Sequence, residues 1–458
     1  MQQYDLVIVG AGSGNSIVGP ELDDWSIALV EEGVFGGTCL NRGCIPTKIL
    51  VHTADTVQAI EHAARFGIDA HVDAIHWRAI RGRVFDRIDP IAKGGERYRT
   101  VDCPNVTVHA GHGRFIGPRQ LEITMPDGST HAIEGTQVVV AAGARPTIPD
   151  VPGLVDVGYF TSDDIMRVDD VPEHLIVIGG GFIACELAHV FGSFGSSVTI
   201  LQRSTTLLRA EDHDIATAIT TAFAQRFDLR CGVHPTGVSR RGDTVIVTLD
   251  DGSVVEGSHI LVATGRTPNS DLIDATAGGL ELHPDGRIVS DHHQATSVPG
   301  VWALGDITSP YMLKHVANHE SKVVAHNIAH PEALRSTDHR AVPHAVFTNP
   351  QIASVGLTER DARAAGIDLM VSTQRYSDVA YGWALEDTTS FCKLLADRTT
   401  RTIVGAHIIG PHSSSLIQQL IQGMRFGCTI DEMATGQYYI HPALGEVIEN
   451  ALLGFGSA

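Results

Sequence analysis

An α/β chain of two strand–turn–helix–strand units followed by an α+β segment is what this sequence predicts, and three observations lead there. Two short apolar runs, Tyr4–Val9 and His174–Ile178, each close on a glycine cluster. The clusters are Gly10-Ala11-Gly12-Ser13-Gly14 and Gly179-Gly180-Gly181-Phe182-Ile183-Ala184. Each is followed by a plausible helix and then a second strand, Ser26–Glu31 and Ser197–Leu201. After Pro343 the glycine clusters stop, and strand-like runs alternate with helix-like ones: His344–Phe347, Phe391–Ala396 and Ile403–Ile409 against Thr358–Ala365 and Ser414–Phe426. A length of 458 residues with 43% hydrophobic and 19% charged side chains suits about three globular domains.

Strand, glycine-rich turn, helix, strand is the Rossmann-type dinucleotide-binding unit: the glycines let backbone approach a pyrophosphate, and a helix N-terminus faces its charge. One such cluster is weak evidence, whereas two about 170 residues apart in the same context are strong. Two further strand-then-turn segments close the units. Gln137–Ala141 runs into Ala142-Gly143-Ala144-Arg145-Pro146, and His259–Ala263 into Thr264-Gly265-Arg266-Thr267-Pro268-Asn269. The organisation expected is 1–147 for the first binding domain, 148–270 for the second, 271–340 for a return to the first, and 341–458 for a separate domain.

The strand tips differ. Glu31 ends the second strand of the first unit, 21 residues after Gly10, where an acid can bond a ribose hydroxyl. Gly10, Gly12 and Gly14 line the turn, but Asn15 stands at the third fingerprint glycine, so the helix is expected to sit differently. In the second unit Gly179, Gly181, Phe182 and Ile183 form the turn, and the strand ends Leu201-Gln202-Arg203 with Arg209 six residues on. Loss of the acid and gain of arginine favour a 2′-phosphate, hence NADPH over NADH. The economical reading is FAD in the first site and NADPH in the second.

Between them lies Gly36-Gly37-Thr38-Cys39-Leu40-Asn41-Arg42-Gly43-Cys44-Ile45-Pro46-Thr47-Lys48. Residues five apart in a regular helix are about 7.5 Å apart along the axis, beyond the roughly 7 Å limit for a disulfide. A bridge therefore needs an irregular turn at a helix start, which Gly43 and Pro46 suit. The other five of the seven cysteines are scattered singly and read as buried small side chains. A close pair in a reducing compartment points to redox chemistry. Near the C-terminus, Ile440-His441-Pro442-Ala443-Leu444-Gly445-Glu446 offers a histidine able to move a proton in thiol–disulfide exchange, with Glu446 to orient it.

Taken together these segments, with Leu304-Gly305-Asp306, resemble the pyridine nucleotide–disulfide oxidoreductases over nearly the whole chain. Within that family the sequence is most similar to the actinobacterial branch that reduces the disulfide of a cysteinyl sugar–inositol thiol. The resemblance implies a relay from NADPH through FAD to a Cys39–Cys44 disulfide. Cys44 would face the flavin and Cys39 would attack the substrate. Lys48 would lie beside the flavin, paired with Glu186. Asp306 would hold the FAD ribityl chain or pyrophosphate, and Thr38, Gly113, Ala142, Gly143 and His315 would line the FAD site. Gly265 would border NADPH. His441 would serve the cysteines of the other subunit in an obligate C2 homodimer, making 341–458 a dimerisation domain. His315 and His319 have a zinc-compatible spacing, but the neighbouring Gly305-Asp306 assigns this region to FAD, and no metal is expected.

The remaining features narrow the class. Acidic residues number 53 and basic ones 33, a net charge of −20 that disfavours nucleic acid or an anionic membrane as partner. No apolar run approaches the roughly 20 residues of a membrane span, and no basic leader precedes Leu6, so a cytoplasmic protein is expected. The tail Leu452–Ala458 carries no cysteine, which disfavours relatives with a C-terminal thiol pair. The alternatives left open are a dihydrolipoamide dehydrogenase, a glutathione reductase, or a flavoprotein-like scaffold without turnover.

Overall fold

A computed structural model describes residues 1–456; of the cysteine-free tail, Ser457 and Ala458 lie outside the described residues. The first apolar run forms β1 (Gln2–Val9), followed by β2 (Ile27–Val30), β3 (Val106–His109), β4 (His112–Gly117), β5 (Gln120–Thr124) and β6 (Thr130–Val140). They make one sheet in the order β3-β2-β1-β6-β5-β4, and Val301–Ala303 returns to pair with β6. β1, β2, β3, the end of β6 and the returning strand run parallel. Their centres are continuous apolar runs because both faces are covered.

The second unit repeats the parallel plan with β7 (His174–Ile178), β8 (Ser197–Gln202), β9 (Asp228–Cys231) and β10 (His259–Val262), in the order β9-β8-β7-β10. A three-stranded antiparallel meander spanning 235–257, which the sequence reading passed over, packs on it. The chain leaves the first unit at Ala144–Pro146 and comes back at Arg266–Pro268, and these two segments pair antiparallel. The C-terminal domain is a five-stranded antiparallel sheet, β11 (Pro343–Val346), β12 (Ile352–Gly356), β13 (Leu369–Arg375), β14 (Phe391–Asp397) and β15 (Ile403–Ile409), ordered β11-β12-β15-β14-β13.

Helices position the chemistry. The redox segment forms α1 (Gly37–Asn41) and α2 (Cys44–Glu61), and α3 is Trp77–Arg97. The second glycine cluster opens α4 (Phe182–Ser193), and α5 (His213–Arg226) follows. α6 (Lys314–Ala329) packs on the first unit, while α7 (Ser413–Phe426) and α8 (Gly445–Leu453) pack on the C-terminal sheet. Leu50, Val51, Ala54 and Val57 of α2 share one core with Val84, Phe85 and Ile88 of α3 and with Cys185, Ala188 and Phe191 of α4. The redox helix is thus built into the contact between the two units.

One expectation fails. The first glycine cluster is followed by short 3-10 turns, Gly14–Ile17 and Pro20–Leu22, and not by an α-helix. The reason lies in Gly19-Pro20: proline cannot donate to a helical bond and pushes the residue before it into extended backbone, and Gly19 is indeed extended. Carbonyls that a helix would satisfy need another donor. The Arg99 guanidinium, 8% exposed, supplies it, donating to Asn15 Oδ1 at 2.7 Å, Asn15 O at 3.0 Å and Val18 O at 3.2 Å. Asn15, the departure from the fingerprint, is therefore an anchor for this arginine.

A buried ionic cluster fastens the second unit to the C-terminal domain. Lys393 Nζ on β14, its side chain 2% exposed, lies 2.8 Å from Asp212, 2.7 Å from Asp214 and 2.8 Å from Glu359. Asp212 also accepts from the Glu359 amide. Lys393→Met would strand the fully buried Asp212 carboxylate without its cation. It is expected to destabilise the protein by about 3 kcal/mol, read as a loss of thermal and denaturant stability.

Candidate active site

The redox segment is seated on the first glycine turn by close backbone contact. A Cβ on Gly37 would come within 2.8 Å of Gly12 Cα, and Gly36 N donates to Ala11 O at 3.1 Å. The turn is pinned from the other side, because a Cβ on Gly10 would meet Ala141 O at 2.4 Å. α1 ends at Asn41 and α2 starts at Cys44, so the irregular turn required for the two cysteines falls at Arg42-Gly43. Thr38 closes this turn through its carbonyl, which accepts from Arg42 N.

That turn places the two thiols near enough to influence each other, and they shift in opposite directions. Cys44 is lowered to about 7, first by the hydrogen bond from Cys39 and, more weakly, by the charge on Lys48. The same hydrogen bond pushes the Cys39 thiol up, reinforced by burial. Cys44 is also the first residue of an 18-residue helix, a position that favours a thiolate. Both influences, the helix start and Lys48, favour the thiolate form on Cys44.

One turn along α2, Lys48 Nζ lies 2.5 Å from Glu186 Oε2 on α4 and 4.6 Å from the centre of the Phe347 ring. The Glu186 side chain is 4% exposed, and its other oxygen accepts from the Phe347 amide at 2.9 Å. The cysteine pair, Lys48 and Glu186 are therefore one constellation.

Around it the residues fit FAD. Glu31 accepts from the amides of Ala11 (2.7 Å) and Gly33 (2.8 Å), which fixes the strand tip beside the turn. Asp306 is raised by burial, and its closest cation is Arg266 at 3.7 Å, so its carboxylate has hydrogen-bonding capacity that the chain does not use. A Cβ on Gly143 would meet nothing within 4 Å, which leaves open space at the mouth of β6. Ala142 O accepts from Asn269 Nδ2, tying the two linker motifs together. Gly113 lets β4 cross close to the end of β2, where a Cβ would meet Val30 at 2.9 Å. His315 is exposed and bonds the Pro343 carbonyl, while His319 accepts from the Asp338 amide. Its neighbour Lys314, which the sequence reading passed over, reaches the turn and donates to Ser13 Oγ at 2.9 Å.

In the second unit a Cβ on Gly179 would meet Ala263 O at 2.2 Å, and Gly181 caps α4. Phe182 is exposed at the mouth, Ile183 sits behind it, and Gly265 takes a left-handed conformation beside it. Leu208 N donates to Gly180 O at 2.8 Å, which holds the 203–209 loop against the turn. Arg203 and Arg209 are exposed at that loop, and neither has an ion-pair partner among the described residues.

At the far end, His441 Nδ1 donates to Glu446 Oε1 at 2.7 Å, and this bond lowers Glu446. The imidazole is 72% exposed, and its Nε2 has no hydrogen-bond partner among the described residues. Tyr438 and Ile440 beside it are exposed, and α8 packs on β13 and β14. The pair stands on the C-terminal core, apart from the cysteines in the packing of the chain.

Comparison with known proteins agrees with this picture. Residues 4–321 match the model of the pyridine nucleotide-disulphide oxidoreductases, and 342–452 match the dimerisation domain of the same group. Mycothione reductase of Mycobacterium tuberculosis is 49% identical over 460 residues, covering 99% of this chain and all of the relative. A dihydrolipoyl dehydrogenase of Chlamydia muridarum is 32% identical over 461 residues, covering 99% of this chain and 97% of the relative. Among solved structures, the Cu(II) complex of the HOCl-induced flavoprotein disulfide reductase RclA from Escherichia coli superposes with a TM-score of 0.87 at 27% identity, covering 99% of each chain.

The Lys48 charge has a measurable effect on the thiolate. Alkylation of Cys44 by iodoacetamide should rise with pH through a midpoint of about 7. In Lys48→Met the midpoint is expected to move up, with the rate at neutral pH falling by up to about tenfold. An unmoved midpoint would remove Lys48 from the activation of this thiol.

Proposed function

Since this chain belongs to the pyridine nucleotide-disulphide oxidoreductase family, we propose that it is an NADPH-dependent flavoprotein that reduces mycothione, the disulfide of a cysteinyl sugar–inositol thiol. The observation that carries the reaction is the Cys39–Cys44 pair set on either side of the Arg42-Gly43 turn, one helical turn from the Lys48–Glu186 ion pair. The identity to mycothione reductase over the full chain supports the substrate.

On this reading 1–147 and 271–340 hold FAD, 148–270 holds NADPH, and 341–458 forms the dimer interface. FAD would be held by Gly10, Gly12, Gly14, Glu31, Thr38, Lys48, Gly113, Ala142, Gly143, Asp306 and His315. NADPH would meet Gly179, Gly181, Phe182, Ile183, Glu186, Gly265 and the two free arginines, Arg203 and Arg209, whose charge suits a 2′-phosphate. Bound there, FAD supplies the two-electron link between the nicotinamide and the cysteine pair.

The remaining steps belong to the side chains. In the reduced pair Cys39 keeps its proton, so it needs a base, and His441 Nε2 is free to be that base because Glu446 occupies Nδ1. Cys39 Sγ then bonds one substrate sulfur as the substrate S–S bond breaks, and His441 returns the proton to the departing thiolate. The Cys44 thiolate attacks Cys39 Sγ, which releases the second substrate sulfur as a thiolate, protonated from solvent, and leaves the Cys39–Cys44 disulfide. The exposure of His441 in the single chain supports service to the cysteines of a second copy in a C2 homodimer. No described helix is long and apolar enough to cross a membrane; with the acidic surface this favours the cytoplasm and a free small-molecule substrate.

NADPH consumption by the purified protein with mycothione, glutathione disulfide and lipoamide side by side tests the reading. Turnover with mycothione and NADPH is expected, and turnover with lipoamide and NADH alone would make the chain a dihydrolipoamide dehydrogenase. Cys39→Ser is expected to abolish turnover with FAD retained. Arg203→Ala and Arg209→Ala should each raise KM for NADPH by about tenfold or more and leave NADH unaffected. His441→Gln should lower kcat by about a hundredfold or more.

A further inference from the structure

The two glycine turns of this chain are unequal. In the second unit Gly181 leads directly into the twelve-residue α4, whose N-terminus offers partial positive charge and free amides to a pyrophosphate. In the first unit the corresponding turn leads into four residues of 3-10 helix, after which Val18 is extended and Gly19-Pro20 ends any continuation. So short a piece has almost no macrodipole, and the anion expected there would lose the field that the fold ordinarily supplies.

A side chain from elsewhere occupies that position. Lys314, the first residue of α6, sends its ammonium across to the turn, where it donates to Ser13 Oγ at 2.9 Å. The chain contains only five lysines against 28 arginines. Of these, Lys48 and Lys393 are bound to carboxylates, whereas Lys314 has no ion-pair partner among the described residues. Its field reaches the Cys39 thiol and the Asp306 carboxyl, since it lowers both against the opposing effect of burial. The Arg99 clamp on Asn15 and Val18 keeps the helix-less turn in place beneath it.

We propose that Lys314 replaces the missing helix dipole and carries the positive charge that binds the pyrophosphate of FAD at the Gly10–Ser13 turn. This deepens the reading of the first unit as the FAD site and rests on it. A full charge on a side chain does the work of the half charge of a helix end, so affinity for FAD becomes more dependent on one residue and on ionic strength than in a unit with an intact helix.

Flavin binding to the apoprotein tests this without turnover. FAD and riboflavin, which lacks the pyrophosphate, are titrated by fluorescence into wild type, Lys314→Met and Lys314→Arg, with circular dichroism of each apoprotein as the folding control. Lys314→Met is expected to bind FAD at least about tenfold more weakly, as for loss of one charged hydrogen bond. Riboflavin binding should be unchanged, and Lys314→Arg should retain most of the FAD affinity. Equal FAD affinity in wild type and Lys314→Met overturns the proposal, and so does an equal loss for FAD and riboflavin. Wild type alone gives a second reading: between about 0.05 M and about 0.5 M salt its FAD affinity should fall while that for riboflavin holds. Salt-independent FAD binding overturns the proposal whether or not the methionine variant folds. If wild-type apoprotein takes up no FAD at all, the assignment of the first unit has failed, a result distinct from FAD binding that ignores Lys314.

Discussion

Three parts of the chain meet at one buried carboxylate. Glu186 on α4 holds Lys48 of the redox helix with one oxygen and the Phe347 amide of the C-terminal domain with the other. A carboxylate 4% exposed is tolerable only when cationic and N–H partners are both present. The site therefore forms only when the first unit, the second unit and the start of the C-terminal sheet are docked. The same contact sets Lys48 at one helical turn from Cys44, so the geometry that satisfies Glu186 also delivers charge to the thiolate.

Further polar contacts brace the same contact from behind. His189, fully buried one turn after Glu186, bonds Asp55 on α2 at 2.8 Å and Arg226 on α5 at 2.7 Å. Glu211, at the edge of the second unit, bonds His344 and Ser354 at 2.6 Å each, next to the Lys393 cluster. Burial lowers His189, while the Glu211 hydrogen bond and charge outweigh burial and raise His344. Apolar packing between α2, α3 and α4 makes the domains adhere, whereas these directional bonds fix their register.

What the sequence made legible was what repeats or recurs at fixed spacing. The glycine turns, the strands after them, three of the five C-terminal strands and the cysteine segment were readable because each follows a local pattern. The need for an irregular turn at Arg42-Gly43 followed from helix rise alone. The first helix was misread because the fingerprint outweighed Gly19-Pro20, a breaker in plain view. Lys314, Arg99 and Lys393 were not legible, since each acts on at least one residue more than 80 positions away and no spacing rule spans such a gap. The scarcity of lysine was visible, but only the fold shows that Lys48, Lys314 and Lys393 each stand at a polar junction.

The protein's own groups bias the cysteine pair before any cofactor is considered. Cys44 gains from a helix start, from Lys48 and from the Cys39 hydrogen bond, and all three favour the thiolate. Cys39 has no such support, because burial and the adjacent thiolate outweigh the more distant Lys314. On the proposed function Cys39 would need a base, and His441, exposed and oriented by Glu446, would be that base. The imidazole stands on the C-terminal core beside exposed Tyr438 and Ile440. Service to the cysteines of a second copy would then make assembly a condition of reactivity.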